Sequence, residues 1–189
     1  MTVSNDSISE WKDYLGGSVT LTASGDSRPV IISDSIYFDG IDDYLYYYSD
    51  NIDQPLFFYV VFSQQSWTDN DRILGGKYTQ SVYIWQAYET PGFRAYAGSI
   101  SDRLTDLGIL EKGIVRCLFN GANSLLIVNE ETGSVDTDFG TNDPQGVSIG
   151  YSGGGYAEIA VWEVIIREAA DTEADQTVIM DYLQSAHGL

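Results

Sequence analysis

Short runs of β-branched and aromatic residues, separated by clusters of Gly, Asn and Asp, recur along almost the whole chain. Strand-length runs divided by turn residues are typical of an antiparallel all-β domain. The run Leu56 to Phe62 has no polar alternation, so we expect it to be a central strand that is covered on both faces. The predicted strands are 19–23, 30–32, 35–38, 44–48, 56–62, 72–74, 81–87, 92–97, 114–120, 124–129, 146–150 and 158–166.

The C-terminal segment has a different periodicity, which predicts one short helix. Thr172 is expected to cap its first turn, and Gly188 is expected to end it. An apolar stripe is predicted along one side of this helix, formed by Ala174, Val178, Ile179, Tyr182, Leu183 and Ala186. No repeat or linker divides the sequence, and 189 residues suffice for one core, so we expect a single domain over residues 1–189.

The charge balance narrows the set of partners. Asp and Glu number 28 against 9 Lys and Arg, and the formal net charge of −19 opposes contacts with phosphate backbones and with anionic lipid. We therefore expect no nucleic-acid partner and no membrane insertion. No apolar run of about 20 residues and no signal peptide are visible. The acidic groups form either a solvated surface or, in part, a site for Ca²⁺.

A catalytic thiol is not expected in this chain. Cys117, the one cysteine, alternates with Val115 and Phe119 and is predicted to fill the core. A nucleophilic cysteine needs a histidine partner. The one histidine, His187, lies near the chain end with no carboxylate spaced in the sequence to orient it.

Five segments, taken in order, resemble one known superfamily. They are Ser9 to Gly17 with its Trp-x-Asp-x-x-Gly pattern, the Phe-Asp-Gly-Ile-Asp-Asp-Tyr-Leu run from Phe38 to Leu45, Phe119 to Ser124, Gly155 to Ile166 and Asp181 to Gln184. Their order and spacing are similar to those of the concanavalin A-like lectin/glucanase superfamily, specifically its bacterial and phage laminin-G-like branch. This resemblance covers nearly the whole chain. It implies a two-sheet antiparallel jelly-roll sandwich with a short C-terminal helix.

The resemblance leaves the function open, because the superfamily includes lectins, adhesion modules, glycan-degrading enzymes and phage virion parts. Some relatives cleave glycans with a Glu-x-Asp-x-x-Glu strand, which Glu158 to Glu163 matches except that Ala160 replaces the aspartate. A regular strand also directs Glu158 and Glu163 to opposite faces, whereas glycoside hydrolysis needs two carboxylates ~5 to 9 Å apart in one cleft. We therefore expect that the chain is not an enzyme.

Three carboxylates fall within one short turn, at Asp39, Asp42 and Asp43. Ca²⁺ binds six to eight oxygens from such clusters, and Gly40 allows the turn to be tight. The alternative is that the aspartates accept backbone hydrogen bonds and only stabilise the turn. Both interpretations stay open, and no cofactor other than Ca²⁺ is expected.

Aromatic residues alternate onto single faces of three predicted strands. Tyr83 and Trp85 share one face, and Arg94 and Tyr96 share a face in the next strand. If this face is open, its rings can stack on sugar rings while Arg94 donates hydrogen bonds. These four residues are therefore the predicted ligand-binding set, with Tyr83 and Trp85 exposed. The alternative is cross-strand pairing that stabilises the sheet. The third strand presents Tyr44, Tyr46 and Tyr48 on one face.

These observations favour a non-catalytic, lectin-like binding module that recognises a surface glycan. We expect it to be displayed on a phage particle or on a secreted surface, and so to be extracellular or on the virion surface. The alternative is a virion structural protein, a capsid decoration or tail component, which uses the sandwich as a protein-docking scaffold. That alternative predicts an oligomer, whereas a glycan-binding module can act as a monomer.

Overall fold

The computed structural model of the chain describes residues 2–4, 7–14, 17, 19–49, 52–77, 82–101, 104–105, 107–129 and 138–189. Within these residues the fold is mostly β, with fifteen strands and one α-helix. The strands are β1 (Thr2–Ser4), β2 (Ser7–Lys12), β3 (Thr20–Thr22), β4 (Val30–Ile32), β5 (Ser35–Asp39), β6 (Leu45–Tyr48), β7 (Leu56–Gln64), β8 (Asp71–Gly75), β9 (Tyr83–Gln86), β10 (Phe93–Tyr96), β11 (Gly113–Phe119), β12 (Leu125–Val128), β13 (Gly146–Ile149), β14 (Gly155–Tyr156) and β15 (Glu158–Arg167). The helix α1 spans Glu173–His187, and a 3₁₀ turn covers Gly121–Asn123.

The predicted strands are all found, with ends that shift by one or two residues. Residue 81, at the start of one predicted strand, lies outside the described residues. The sequence does not predict β1, β2 or β14. Strand β2 has only Ile8 and Trp11 as apolar residues, and β14 has only two residues, so neither gives a clear pattern.

Hydrogen bonds join the strands into one continuous sheet. The order is β10-β9-β8-β13-β6-β3-β2-β4-β5-β15-β7-β11-β12, with β1 beside β2 and β14 parallel to β8. The sheet folds over on itself, as shown by side chains from both of its ends that pack in one core. The rings of Phe62 in β7 and Phe93 in β10, for example, lie 6.3 Å apart. The expected division into two separate sheets is not seen, because β2 pairs with β4 and β3 pairs with β6 through one residue pair each.

Strand β7 is buried on both faces along its whole length. One face, which includes Phe58 and Phe62, belongs to the main core. The other face, which includes Phe57 and Tyr59, packs against α1. Burial on both sides explains why this run has no polar alternation, and the prediction of a central strand is confirmed.

Helix α1 covers the second face of β7. Thr172 caps its first turn and Gly188 ends it in the left-handed conformation, as predicted. The predicted apolar stripe is only partly correct: Leu183 is fully buried, but Val178 is 69% exposed and Tyr182 is 52% exposed. The helix touches the sheet along a narrower line of side chains than the stripe implies. No helix in the described part of the chain is long and apolar enough to cross a membrane.

A buried carboxylate connects the start of α1 to the sheet. Asp171 accepts a hydrogen bond from the Tyr59 hydroxyl at 2.8 Å and forms an ion pair with Arg167 at 2.9 Å. Burial and then the hydrogen bond to Asp171 raise the pKa of Tyr59 well above its ordinary value. The phenol therefore stays neutral and remains a donor to Asp171.

Cys117 belongs to the main core, as predicted. The residue is fully buried, together with Val115 and Phe119 on the same face of β11. Burial raises the pKa of the Cys117 thiol well above its ordinary value, which disfavours the reactive thiolate.

Replacing Leu183 by Ala is expected to lower the free energy of unfolding by about 2–5 kcal/mol, because the change leaves a cavity between α1 and β7. Val178→Ala, on the exposed side of the same helix, is the matched control and should change it by less than about 0.5 kcal/mol. Urea unfolding followed by circular dichroism measures both variants. Equal losses in the two would contradict the docking of α1 through Leu183.

Candidate ligand-binding face

The outer face of β6, β8, β9, β10 and β13 carries a continuous set of aromatic side chains. Alternation along these strands directs every second side chain into the core, as with Ile84, and the others outward. The strand register then forms rows: Tyr96 lies opposite Tyr83, and Arg94 lies opposite Trp85. We call this surface the aromatic face. Its members are Tyr44, Tyr46, Tyr48, Arg72, Tyr83, Trp85, Arg94, Tyr96, Tyr151 and Tyr156.

Five tyrosines form one line of rings along the aromatic face. Tyr46 stacks between Tyr48 and Tyr44, at centroid distances of 4.5 and 5.5 Å. Tyr44 is followed by Tyr151 at 6.1 Å, and Tyr151 stacks on Tyr156 at 4.5 Å. The prediction that Tyr44, Tyr46 and Tyr48 share a face is therefore confirmed. Burial raises the pKa of Tyr48 and of Tyr156 above the ordinary value, so both phenols stay neutral.

The other part of the aromatic face combines rings with guanidinium groups. Tyr83 stacks on Tyr96 at 4.8 Å and meets Trp85 edge-on at 5.1 Å. The Arg72 guanidinium lies 3.5 Å from the centre of the Tyr83 ring, which is a cation–π contact. Tyr83, Trp85, Arg94 and Tyr96 thus lie together on one face, as expected. Their role in ligand binding stays a prediction.

Trp85 is less accessible than we expected. Only 8% of its surface is exposed, whereas Tyr83 beside it is half-buried. The cause is Arg72, which lies opposite Trp85 in the neighbouring strand with its guanidinium 5.5 Å from the indole. Arg94 lies opposite Trp85 on the other side. Two arginines therefore flank the indole, and little of it is left for a binding surface.

Arg72 is the member of the site that sequence reasoning missed. A bulge in β8, with Ile73 as the extra residue, lies between Arg72 and Leu74 and directs Arg72 outward. Gly154 lies against this side chain, because a Cβ at Gly154 would come within 2.2 Å of Arg72 Nε. An arginine directly before the apolar pair Ile73 and Leu74 is the one signal that could have identified it, because buried arginines are rare.

The turn between β5 and β6 brings the three predicted calcium ligands together. One carboxylate oxygen from each of Asp39, Asp42 and Asp43 lies within 4.8 Å of the others. Asp39 Oδ1 accepts hydrogen bonds from the N–H groups of Ile41 and Asp42 at 2.8 and 3.3 Å. Asp43 Oδ2 accepts one from the Asp39 N–H at 3.0 Å. Two of the three aspartates therefore stabilise the turn, while the calcium role stays a prediction.

This turn packs closely against the start of β15. Gly40 has φ +72°, and a Cβ there would lie 2.9 Å from the Glu158 Cβ, so only glycine fits. Asp43 is 5% exposed. The pKa of Asp43 is raised to about 6, mainly by burial. The hydrogen bond from the Asp39 N–H lowers this pKa, whereas the negative charges of Asp39 and Asp42 raise it. The turn therefore holds a crowded group of carboxylates.

A second bulge overturns the expected placement of two glutamates. It lies in β15 between Val161 and Glu163, with Trp162 as the extra residue. Val164 packs on the main core, so Glu163 points to the outer side. Glu158 and Glu163 therefore point to the same face of the sheet, not to opposite faces. The argument from strand alternation against an enzyme is wrong for this reason.

Both glutamates have hydrogen-bond partners on that face. Glu158 accepts a hydrogen bond from the Tyr37 hydroxyl at 2.5 Å, and this bond, with burial, raises the pKa of Tyr37 to about 12. Glu163 accepts one from the Tyr182 hydroxyl at 3.0 Å and lies 2.8 Å from His187 Nε2. The expectation that no carboxylate orients His187 is therefore also wrong, because the fold brings Glu163 to it across 24 residues.

A separate cleft of about 260 Å³ lies between β2, β15 and the turn that joins β4 to β5. Trp11 and Trp162 line it together with Asp34. Asp34 Oδ1 accepts a hydrogen bond from Trp162 Nε1 at 2.9 Å, and this bond lowers the pKa of Asp34. The aromatic residues of this cleft lie outside the aromatic face.

No protein-family model and no curated protein matches the sequence. Solved structures do match. One is Trypanosoma rangeli sialidase in complex with sialic acid, with TM-score 0.65 and 10% identity over 95% of this chain. Another is a mutant of that sialidase displaying trans-sialidase activity, with TM-score 0.68 and 11% identity over 94% of this chain. The chain spans only 31% of the length of each sialidase.

The exoplasmic/lumenal domain of VIP36 is also similar. Its Ca²⁺-bound form matches with TM-score 0.51 and 9% identity, over 79% of this chain and 84% of that domain. Its Ca²⁺/Man2-bound form matches with TM-score 0.51 and 8% identity, over 78% of this chain and 82% of that domain. At such identities the likeness concerns the fold alone. It supports a lectin-like β fold, in agreement with the sequence resemblance.

These comparisons contradict the expectation that the chain is not an enzyme. The sialidases are enzymes, and their structures match nearly the whole chain. The fold therefore gives no ground for excluding catalysis. The shared face of Glu158 and Glu163 removes the argument from strand alternation, whereas Ala160 still stands at the position of the aspartate.

The free energy of unfolding is expected to depend on pH through Asp43. Its pKa is raised from 3.8 to about 6 in the folded state, so its stabilising contribution is complete below pH 3.8 and is lost as pH rises through about 6. Asp43→Asn keeps an acceptor for the Asp39 N–H without the charge. It should raise stability above pH 6, by at most about 3 kcal/mol, and match the wild type near pH 4.

Melting temperatures measured between pH 4 and 8 test this prediction. Asp26→Asn, at an exposed turn, is the matched control and should leave the profile unchanged. Part of the pH dependence should remain in Asp43→Asn, because burial also raises the pKa of Asp71 to about 6. If the melting temperatures of Asp43→Asn and the wild type depend on pH in the same way, the pH dependence does not come from a raised pKa of Asp43.

Asp39→Ala is expected to lower the melting temperature equally in EDTA and in millimolar Ca²⁺. The change removes the acceptor for two backbone N–H groups, and each lost bond costs on the order of 1 kcal/mol. Asp42→Asn is the matched variant. The Asp42 carboxylate accepts no hydrogen bond from the described residues, so this change should have little effect in EDTA. A calcium-dependent rise in the wild type that disappears in Asp42→Asn would instead assign a metal to the turn.

Proposed function

We propose that the chain is a carbohydrate-binding domain of lectin-like fold that recognises a surface glycan through the aromatic face. The observation that carries the proposal is the row of stacked rings on the outer face of one half of the sheet, while α1 packs on the other half. The likeness to the VIP36 domain, solved in a Ca²⁺/Man2-bound form, supports a carbohydrate ligand.

The chemistry of the face suits a sugar. Sugar rings present apolar C–H groups on one side and hydroxyls at their edges, so they bind shallow aromatic surfaces that carry a few polar groups. The two groups of rings are separated by the small residues Ser148 and Gly75, and Ser152 packs over this gap with its hydroxyl donating to the Gly76 carbonyl at 3.0 Å. Arg94 provides donors beside the rings. The aromatic face therefore presents two neighbouring groups of rings, one on each side of Ser152, and each can stack on a sugar ring.

The setting of the domain is part of the proposal. We propose that the domain is displayed on a phage particle or on a secreted surface. The alternative is that it is a virion structural protein. Light scattering separates them, because a glycan-binding domain can be a monomer whereas a decoration protein is expected to form an oligomer or to attach to a lattice.

Tyr48→Ala and Tyr96→Ala are each expected to weaken glycan binding by at least about fivefold, because each removes a ring worth roughly 1 kcal/mol of contact. Tyr14→Ala, which removes an exposed tyrosine outside the aromatic face, is the matched control and should bind as the wild type does. A glycan array identifies the ligand, and titration calorimetry with it measures the affinities.

The same variants distinguish binding from cross-strand stabilisation. If the rings only stabilise the sheet, Tyr96→Ala lowers the melting temperature without changing the affinity of the folded protein. A glycan that binds the wild type, Tyr48→Ala and Tyr96→Ala equally would contradict the aromatic face as the site. Loss of that binding in Trp162→Phe would place the site in the cleft beside Trp11.

A further inference from the structure

The charge of the aromatic face is opposite to that of the whole chain. The chain has 28 acidic and 9 basic residues. The outward strand positions of β6, β8, β9, β10 and β13 nevertheless carry two arginines and no Asp or Glu. Asp71, at the start of β8, alternates away from Arg72 to the other side. At the edge of the face, Lys77 Nζ lies 5.3 Å from the centre of the Tyr48 ring.

Arg72 places an uncompensated positive charge beneath this face. It is 8% exposed, and its Nε and Nη1 have no hydrogen-bond partner among the described residues. No carboxylate in the described ranges forms an ion pair with it, and its contacts are the Tyr83 ring and Gly154. The Tyr83 ring offsets part of the cost of burying this guanidinium, and an anionic ligand would offset more of it.

Arg94 adds a second charge on the same row. It is half-buried, its guanidinium lies 4.5 Å from the centre of the exposed Tyr88 ring, and its Nε has no partner in the described part of the chain. Arg72 and Arg94 both lie opposite Trp85, one on each side, so their backbones are about 10 Å apart, two strand spacings. Both side chains are positively charged and share one row whose outward positions carry no acidic residue, so this part of the face attracts an anion.

We infer that the glycan bound at the aromatic face is acidic and carries a carboxylate or sulfate group on a sugar ring. This inference rests on the proposed function and specifies its ligand class. Arg94, the more accessible guanidinium, donates hydrogen bonds to the anionic group. Arg72 lies under Gly154 and acts through its fixed charge as a positioning residue. The rings of Tyr83 and Tyr96 hold the sugar beside the two charges.

The test compares three probes by titration calorimetry with the full chain. They are an oligomer of a uronic acid, the same oligomer with its carboxyl groups reduced to alcohols, and a sulfated oligosaccharide. Each is measured at about 0.1 M and about 1 M salt. An acidic probe is expected to bind at least about tenfold more tightly than the reduced oligomer, and salt should weaken only the acidic probes.

Arg94→Gln is expected to remove the preference for the acidic probe, because the change weakens binding of that probe much more than binding of the reduced oligomer. Lys12→Gln, which removes an exposed charge outside the aromatic face, is the matched control and should keep the preference. Arg72→Gln should reduce the preference and Arg72→Lys should retain most of it, because lysine keeps the charge. If the Arg72 variants do not fold, Arg94→Gln and the salt series decide the question.

The outcomes separate the inference from the proposed function. A preference for either the carboxylate or the sulfate probe supports the inference and identifies the group. Equal binding of the acidic and reduced oligomers, unaffected by salt and by Arg94→Gln, overturns the inference and leaves a neutral glycan as the ligand. Absence of binding to any glycan overturns both.

Discussion

The architecture depends on a strand that is buried on both sides. All nine residues of β7 are buried, so β7 cannot lie in an outer layer. The face that carries Phe58 is buried because the sheet folds over it, and the face that carries Phe57 is buried because α1 packs on it. One half of the sheet is thus covered on the outside by α1. The other half covers its outer face with its own side chains, and large rings that stack on one another do this most fully.

The sequence predicts which side chains share a face wherever the strands are regular. Tyr44, Tyr46 and Tyr48 are correctly grouped, as are Tyr83 and Trp85, because the two-residue period of a strand does not depend on its neighbours. The sequence analysis misses Arg72 and places Glu163 on the wrong face, since each lies beside a bulge. One extra residue reverses the alternation and leaves no trace in composition or hydrophobicity.

Other features depend on contacts that are distant in the sequence. The low exposure of Trp85 is caused by Arg72, a residue of a different strand, and the pairing of His187 with Glu163 exists only once α1 is docked. The folding of the sheet into one continuous layer also rests on pairings between short strands. The solved structures near 10% identity share the fold with this chain although most of their side chains differ, so the fold does not determine the residues of a site. The chemistry of the site must therefore be argued from this chain's own residues.

The composition of the aromatic face has a consequence for the conditions under which it works. Its outward strand positions carry no Asp, Glu or His, and arginine stays charged at any ordinary pH. Acidification protonates Asp43 and Asp71, which lie off these positions, and so changes stability while the charge of the face is constant. Under the proposed function, recognition would therefore depend little on the proton concentration of the surroundings. The acidic ligand that we propose would be bound in neutral and in acidified media alike, as long as its own acidic group remains ionised.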